Sequence, residues 1–260
     1  LQLIMGATGD LLDCLDAQDT VGFTGSAATA MALRSRPALL QNAVRFTAEQ
    51  DSLNGSVLGP DVAPGSTEFD LFITEVHREM TTKAGQKCTA IRRIMVPEAH
   101  VQAVNAALSE RLTATKIGHP AQRDTQMGAL VSLAQREDVR EKLRLLSGEC
   151  DPVFGDAQHC LVNGADAKEG AFMSPVLLHC PDPDAAQITH EIEAFGPVST
   201  VMAYRDVPHD ISFPNKGGGS LVASVLHAHP QVSRQVSLGS RASHARRCLS
   251  ARASPSGRSA

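Results

Sequence analysis

One cysteine in this sequence is placed where a nucleophile could be used. Cys88 lies in the run Thr82-Lys83-Ala84-Gly85-Gln86-Lys87-Cys88-Thr89-Ala90, a small-residue turn between an amphipathic helical pattern and a strand-like apolar run. Gly85 gives the turn its backbone freedom, and Lys83 and Lys87 bring positive charge that favours thiolate over thiol. A free cysteine can equally be a small buried hydrophobe. That is the expectation for Cys14, Cys150, Cys160, Cys180 and Cys248, and for Cys88 both readings stand. No CxxC pair and no Cys/His spacing of the zinc type occurs, so neither a structural metal nor a redox dithiol is expected. With no secretory apolar segment at the start, disulfides are not expected either.

Three further stations could serve such a thiol. Glu49 follows the strand-like Val44-Arg45-Phe46-Thr47, at the carboxyl end where open α/β sheets place ligands, and a carboxylate there can act as a base. A solvated loop glutamate is the plain alternative, and Asp51 stands close by. Thr24-Gly25-Ser26 lies where a strand feeds a helix, so free N–H groups, a capping serine and a flexible glycine could take an anion. An ordinary capped turn is the other reading, since neither GxGxxG nor a Walker pattern is present. Glu191-Ile192-Glu193-Ala194-Phe195-Gly196-Pro197 couples carboxylates to an aromatic ring and a rigid turn ahead of another strand.

The elements that must hold these residues alternate. An apolar run to Met5 reads as a strand and Asp10 to Leu15 as helical. Thr20 to Thr24 is then a strand, Ser26 to about Arg34 a helix and Val44 to Thr47 a third strand. From Ser66, a capping hydroxyl followed by Glu68 and Asp70, the residues Phe69, Phe72, Ile73, Val76 and Met80 mark one buried helical face. Ile91 to Val96 is strand-like and ends at Pro97. Amphipathic helices are expected at Glu98 to Leu112 and Ser132 to Leu146, with Ile117-Gly118-His119-Pro120 between them. Strands are expected at Ser174 to Leu178 and Val198 to Ala203. Strands separated by helices predict an α/β fold with a parallel, doubly wound sheet.

The 260 residues, 42% of them hydrophobic, can build one large or two ordinary domains with a real core. A net charge of -4, one Tyr and no Trp give no footprint for nucleic acid. The apolar runs are too short to span a bilayer, so no membrane partner is expected and a cytoplasmic location is. Gly239 to Ala260 holds five Arg, six Ser and no acidic residue, and is expected to be a disordered or frameshifted tail. The start at Leu1, inside an apolar run, is expected of a fragment.

Taken in order, the four stations resemble the aldehyde dehydrogenase superfamily. Phe23-Thr24-Gly25-Ser26 is similar to its cofactor-binding turn, Gly85-Gln86-Lys87-Cys88 to its GQxC nucleophile motif, and Glu193-Ala194-Phe195-Gly196-Pro197 to its ExFGP motif. Met127 to Ser132 and Gly170 to Pro175 are supporting matches, and the resemblance runs from residue 1 to about 239. Val44 to Asn54 and Lys83 to Arg93 most resemble the bacterial phenylacetate-degradation branch.

The resemblance implies residues 1–50 as the C-terminal part of a Rossmann-like cofactor domain, 51–238 as the cysteine-bearing catalytic domain, and 239–260 as the tail. It implies that Cys88 attacks an aldehyde, with a CoA-linked semialdehyde as the substrate class, and that a thiohemiacetal becomes a thioester. Glu49 is implied as the base, although the usual ELGG-type sequence is replaced by Glu49-Gln50-Asp51-Ser52. Gly25 and Ser26 would meet the pyrophosphate of NAD or NADP, Glu193 the nicotinamide ribose, and Phe195 the ring. The cysteine's own N–H and an asparagine placed before Leu1 would hold the oxyanion, and the full-length protein would be a homo-oligomer. Two alternatives remain: a truncated product without activity, and a nucleotide-independent cysteine hydrolase or acyltransferase, for which His77 is the nearest histidine in sequence.

Overall fold

Alternating strand and helix over the first fifty residues produce a small parallel pair. The computed structural model describes residues 2–213, 216, 219–229 and 247–251, with 210, 211 and 247–251 described by their backbone alone. The chain divides into two compact units, Leu1–Asp51 and Ser52–Ala260. In the first, β1 (Thr20–Thr24) and β2 (Arg45–Glu49) pair in parallel from Thr20↔Arg45 to Thr24↔Glu49. The connection is α1 (Ala27–Arg34) and α2 (Pro37–Gln41). Ser26 caps α1 by accepting the Thr29 N–H at 3.2 Å, and Pro37 sits in the first turn of α2, where a missing N–H is harmless. The apolar opening run is not the expected strand: residues 2–5 are irregular, and Leu3 and Met5 are each 88% exposed. A strand needs a neighbour to take its backbone hydrogen bonds, and no described strand pairs with this one. The helical reading of Asp10 to Leu15 survives as one 3₁₀ turn, Leu11–Cys14.

The second unit is built on a seven-stranded sheet. Its strands are β3 (Gly55–Leu58), β4 (Arg93–Pro97), β5 (Asp151–Phe154), β6 (Val176–Cys180), β7 (Val198–Tyr204), β8 (Val222–Leu226) and β9 (Arg247–Ala251), in the order β5-β6-β7-β4-β3-β8-β9. All neighbours are parallel except β5, which pairs antiparallel with β6 at the edge. The helices are α3 (Thr67–Thr81), α4 (Val101–Thr113), α5 (Leu133–Leu146), α6 (Ile188–Glu191) and α7 (Val207–Ser212).

Helices cover both faces of this sheet, and the strands divide their side chains between two cores. Leu58, Ile94, Val96, Leu177 and Val201 meet Phe72, Ile73, Val76 and Met80 of α3 and Val104 and Leu108 of α4. Val57, Met95, Leu178, Met202 and Tyr204 turn the other way, toward Val139, Leu143 and Leu146 of α5. Successive strand residues point to opposite faces, so a strand covered on both sides reads as one apolar run, as Arg93-Ile94-Met95-Val96-Pro97 does after its arginine. Ser66 caps α3 by accepting the Phe69 N–H at 3.2 Å, and Ser132 caps α5 from the Gln135 N–H at 3.1 Å. Each buried apolar side chain on these faces stabilises the unit by about 1.5–3 kcal/mol.

Parallel strands begin at one edge of the sheet. The segments leading into β3 (52–54), β4 (82–92), β7 (193–197) and β8 (219–221) therefore gather at that edge. Of the Arg/Ser tail, only 247–251 is described, and there the backbone is β9, parallel to β8. The rest of that expectation lies outside the described residues.

Candidate active site

In the first unit, the two stations anticipated from sequence come together. Glu49 is the last residue of β2, opposite Thr24, and its carbonyl accepts the Gly25 N–H at 3.1 Å. Its side chain is half-buried, whereas Gly25 and Ser26 are exposed. Ser26 uses its hydroxyl on the Thr29 N–H, so the Ala27 and Ala28 N–H groups are left without an acceptor among the described residues. An eight-residue helix with free first-turn donors can take an anion.

In the second unit, the cysteine turn is held in an unusual backbone. Lys83, Ala84 and Gly85 are three successive residues with positive φ, at 54°, 52° and 68°. The first two each cost about 1–2 kcal/mol as left-handed residues that carry a Cβ. Gly85 is required twice over. Its φ is left-handed, and a Cβ there would overlap the Gly196 carbonyl, 2.5 Å from its carbon, and lie 2.9 Å from Pro197 Cα. The cysteine turn thus packs backbone to backbone on the Glu-Ala-Phe-Gly-Pro turn.

Arg92 completes that junction. Its guanidinium is 4% exposed and donates to Gly85 O at 2.8 Å, to Gly196 O at 2.7 Å and to Glu193 Oε1 at 3.0 Å. It also lies 5.5 Å from the Phe195 ring centroid, within cation–π range. Burial pulls the guanidinium below its ordinary value, and the charge and hydrogen bond of Glu193 oppose that. Glu193 is itself buried and takes the Ser52 N–H at 2.9 Å on its other oxygen, so it acts here as the anchor of Arg92. Gln86 extends the clamp by accepting the Val131 N–H at 2.9 Å, and Gln135 of α5 donates to Phe195 O at 3.0 Å.

Cys88 stands exposed on this frame, in a turn closed by the Ala90 N–H on Lys87 O at 3.1 Å. Its own N–H has no acceptor among the described residues. Of the two lysines expected to favour thiolate, Lys87 is tied by its Nζ to both oxygens of Glu79, at 2.8 and 2.7 Å, so its charge is compensated locally. His77 is also engaged, through Nε2 to Thr115 Oγ1 at 2.8 Å, and burial lowers its pKa. Cys150 and Cys180 are buried in the α5-side core, Cys160 is half-buried, and Cys14 is exposed rather than the expected hydrophobe because its 3₁₀ turn buries no residue. The side chain of Cys248 lies outside the described residues. No cluster of three metal-ligating side chains occurs among the described residues.

Behind the turn, Arg93 is 1% exposed and donates to Leu53 O at 3.1 and 2.8 Å and to Phe213 O at 2.9 Å. Burial brings it down to about 10. His190 stands 3.2 Å from it through Nδ1 and 2.9 Å from Pro183 O through Nε2. An arginine only donates and a carbonyl only accepts, so His190 is neutral with its proton on Nε2. Burial, aided by the Arg93 charge, lowers it to about 4.

The aldehyde dehydrogenase family model matches residues 1–244. The chain belongs to the aldehyde dehydrogenase family. The 3,4-dehydroadipyl-CoA semialdehyde dehydrogenase of Aromatoleum evansii is 44% identical over 225 residues, covering 86% of this chain and 44% of that protein. Protein MaoC of Klebsiella aerogenes is 39% identical over 121 residues, 46% of this chain and 34% of its own length. The chain spans less than half the length of these relatives. Among solved structures, betaine aldehyde dehydrogenase of Staphylococcus aureus in complex with NAD+ matches with a TM-score of 0.82 at 22% identity, over 97% of this chain and 48% of that one. That likeness carries the α/β aldehyde dehydrogenase fold. Sequence reasoning named Cys88, Glu49, Gly25, Ser26, Glu193 and Phe195 but missed Arg92 and Asn54, both buried at the cysteine turn. The Arg92-Arg93 doublet directly before an apolar strand was the available signal.

Proposed function

We propose that the full-length protein oxidises an aldehyde to the carboxylic acid with NAD or NADP, through Cys88. The observation that carries this reading is the exposed Cys88 on a turn that Gly85 and Arg92 fix to the Glu193–Pro197 turn. The thiol adds to the aldehyde carbonyl to give a thiohemiacetal, whose oxidation leaves a thioester on Cys88. Water then attacks the thioester carbon, expels the thiol and releases the acid, with Glu49 taking the water's proton. The free Cys88 N–H is the donor for the oxyanion in both additions.

In the first unit, the free N–H groups of Ala27 and Ala28, beside Gly25 and Ser26, would hold the diphosphate of the cofactor; in the second, Phe195 would meet its ring, and Glu193, whose two oxygens are engaged by Arg92 and Ser52, would reach the ribose only by exchanging one of these partners. When bound, NAD(P) supplies the hydride acceptor. Relatives named for CoA-linked and other semialdehydes support a CoA-linked semialdehyde as the substrate. A nucleotide-independent hydrolase would need a histidine partner for the thiol, and His77 is occupied by Thr115.

The test is NAD(P)H formation from a CoA-linked semialdehyde by the purified full-length protein. Cys88→Ala should abolish it, and Glu49→Gln should give one burst of NAD(P)H followed by a stalled acyl-enzyme. Parent turnover in Cys88→Ala rejects the nucleophile, and parent turnover in Glu49→Gln removes Glu49 from the mechanism.

A further inference from the structure

Asn54 stands one residue ahead of β3, is 1% exposed, and has no part in the chemistry described so far. Its amide nitrogen donates to Cys88 O at 2.8 Å and to Ala90 O at 2.9 Å. Its amide oxygen accepts from Ser52 Oγ at 2.7 Å, from the Leu221 N–H at 3.1 Å and from the Val222 N–H at 2.8 Å. Its backbone carbonyl takes the Arg92 and Arg93 N–H groups at 3.0 and 3.1 Å. An asparagine amide has two donor hydrogens, and here both go to the turn that carries the cysteine.

The peptide bond is planar and trans, so its C=O and N–H point in opposite directions. The Cys88 carbonyl belongs to the same peptide as the Thr89 N–H. Drawing that carbonyl inward to a buried side chain therefore aims the Thr89 N–H outward. Like the Cys88 N–H, it has no acceptor among the described residues.

We propose that Asn54 is a positioning residue for the nucleophile: it locks the Cys88–Thr89 peptide so that the Thr89 N–H faces solvent with the exposed thiol, as a donor to the thiolate and to the anionic adduct formed there. This rests on Cys88 being the nucleophile. Without Asn54 the peptide is free to turn over, which would place a carbonyl oxygen where the thiolate has a donor.

The test is alkylation by iodoacetamide, resolved cysteine by cysteine by mass spectrometry, in the parent chain, in Asn54→Asp and in Ser52→Ala. Asn54→Asp keeps the shape but, ionised, cannot donate, whereas Ser52→Ala removes a donor to the amide oxygen and an acceptor of the Leu221 N–H while leaving both amide donors of Asn54 in place. Buried Cys150 and Cys180 report unfolding within the same sample. Cys88 in Asn54→Asp should react about fivefold or more slowly near pH 7, and approach the parent rate near pH 10, where a free thiol is ionised regardless. Ser52→Ala should match the parent. A parent rate near pH 7 in folded Asn54→Asp overturns the proposal. If Asn54→Asp exposes Cys150 and Cys180, hydrogen exchange in the unsubstituted chain decides: exchange of the Thr89 amide at an open-peptide rate supports the proposal, and protection of about a hundredfold or more overturns it. Neither readout uses aldehyde turnover, so failure here is separable from failure of the Cys88→Ala test.

Discussion

Gly85→Ala strikes the junction between the cysteine turn and the Glu193–Pro197 turn. At the native φ of 68° an alanine incurs the left-handed penalty of about 1–2 kcal/mol. Its Cβ also overlaps the Gly196 carbonyl and crowds Pro197 Cα, which are backbone atoms that cannot rotate aside. Forced overpacking of this kind costs about 1–3 kcal/mol. The two together give about 2–5 kcal/mol, which for a unit of this size lowers the melting temperature by roughly 10 °C. Differential scanning calorimetry of the two proteins measures it. Lys83→Gly is the opposite control, because Lys83 is exposed at a φ of 54° and its replacement relieves strain, raising stability by about 0.5–1 kcal/mol. A Gly85→Ala melting temperature within about 2 °C of the parent would refute the packing argument.

Acid should destabilise the fold through His190. The unfolded histidine takes a proton near pH 6.5 while the buried one refuses it until about 4, so stability is intact above about pH 6.5 and falls toward pH 4, by up to about 3 kcal/mol. Urea unfolding across that range should show a smaller acid loss in His190→Gln, and an identical loss in both proteins would exclude His190 as the cause. Arg92→Met should destabilise the second unit by about 3–5 kcal/mol, because it withdraws the cation from buried Glu193 and two donors from the Gly85 and Gly196 carbonyls. Denaturant titration reads this, and a loss below about 1 kcal/mol would mean that the junction holds without the guanidinium.

How much of this was legible in the sequence depended on where each residue's partners lie. The faces of α3 and α5 and the core strands β4 and β7 repeat over many residues, and their caps, Ser66 and Ser132, are local signals, so these elements could be read directly. β3 could not, because Asn54-Gly55-Ser56 looks like a turn. Gly55 is small because a Cβ there would lie 2.8 Å from the Met95 side chain of the neighbouring strand. β5 hid behind Pro152, which is tolerated only because the strand is at the edge of the sheet. Arg92 and Asn54 were invisible as site residues for a further reason. Glu193 stands about a hundred residues from Arg92, and Leu221 well over a hundred from Asn54, and polar residues most of whose partners lie far along the chain read as solvated.

Gathering the cysteine at the starting edge of the parallel strands reverses the usual electrostatics of α/β proteins. Helix α3 ends at Thr81, immediately before the turn, so it presents the negative pole of its dipole rather than the anion-attracting one. Stabilisation of a sulfur anion is thereby left to backbone amides. The far rim, residues 59–66 and 97–100, carries none of this apparatus, and is the side on which a fused peptide or an engineered insertion would leave the thiol undisturbed.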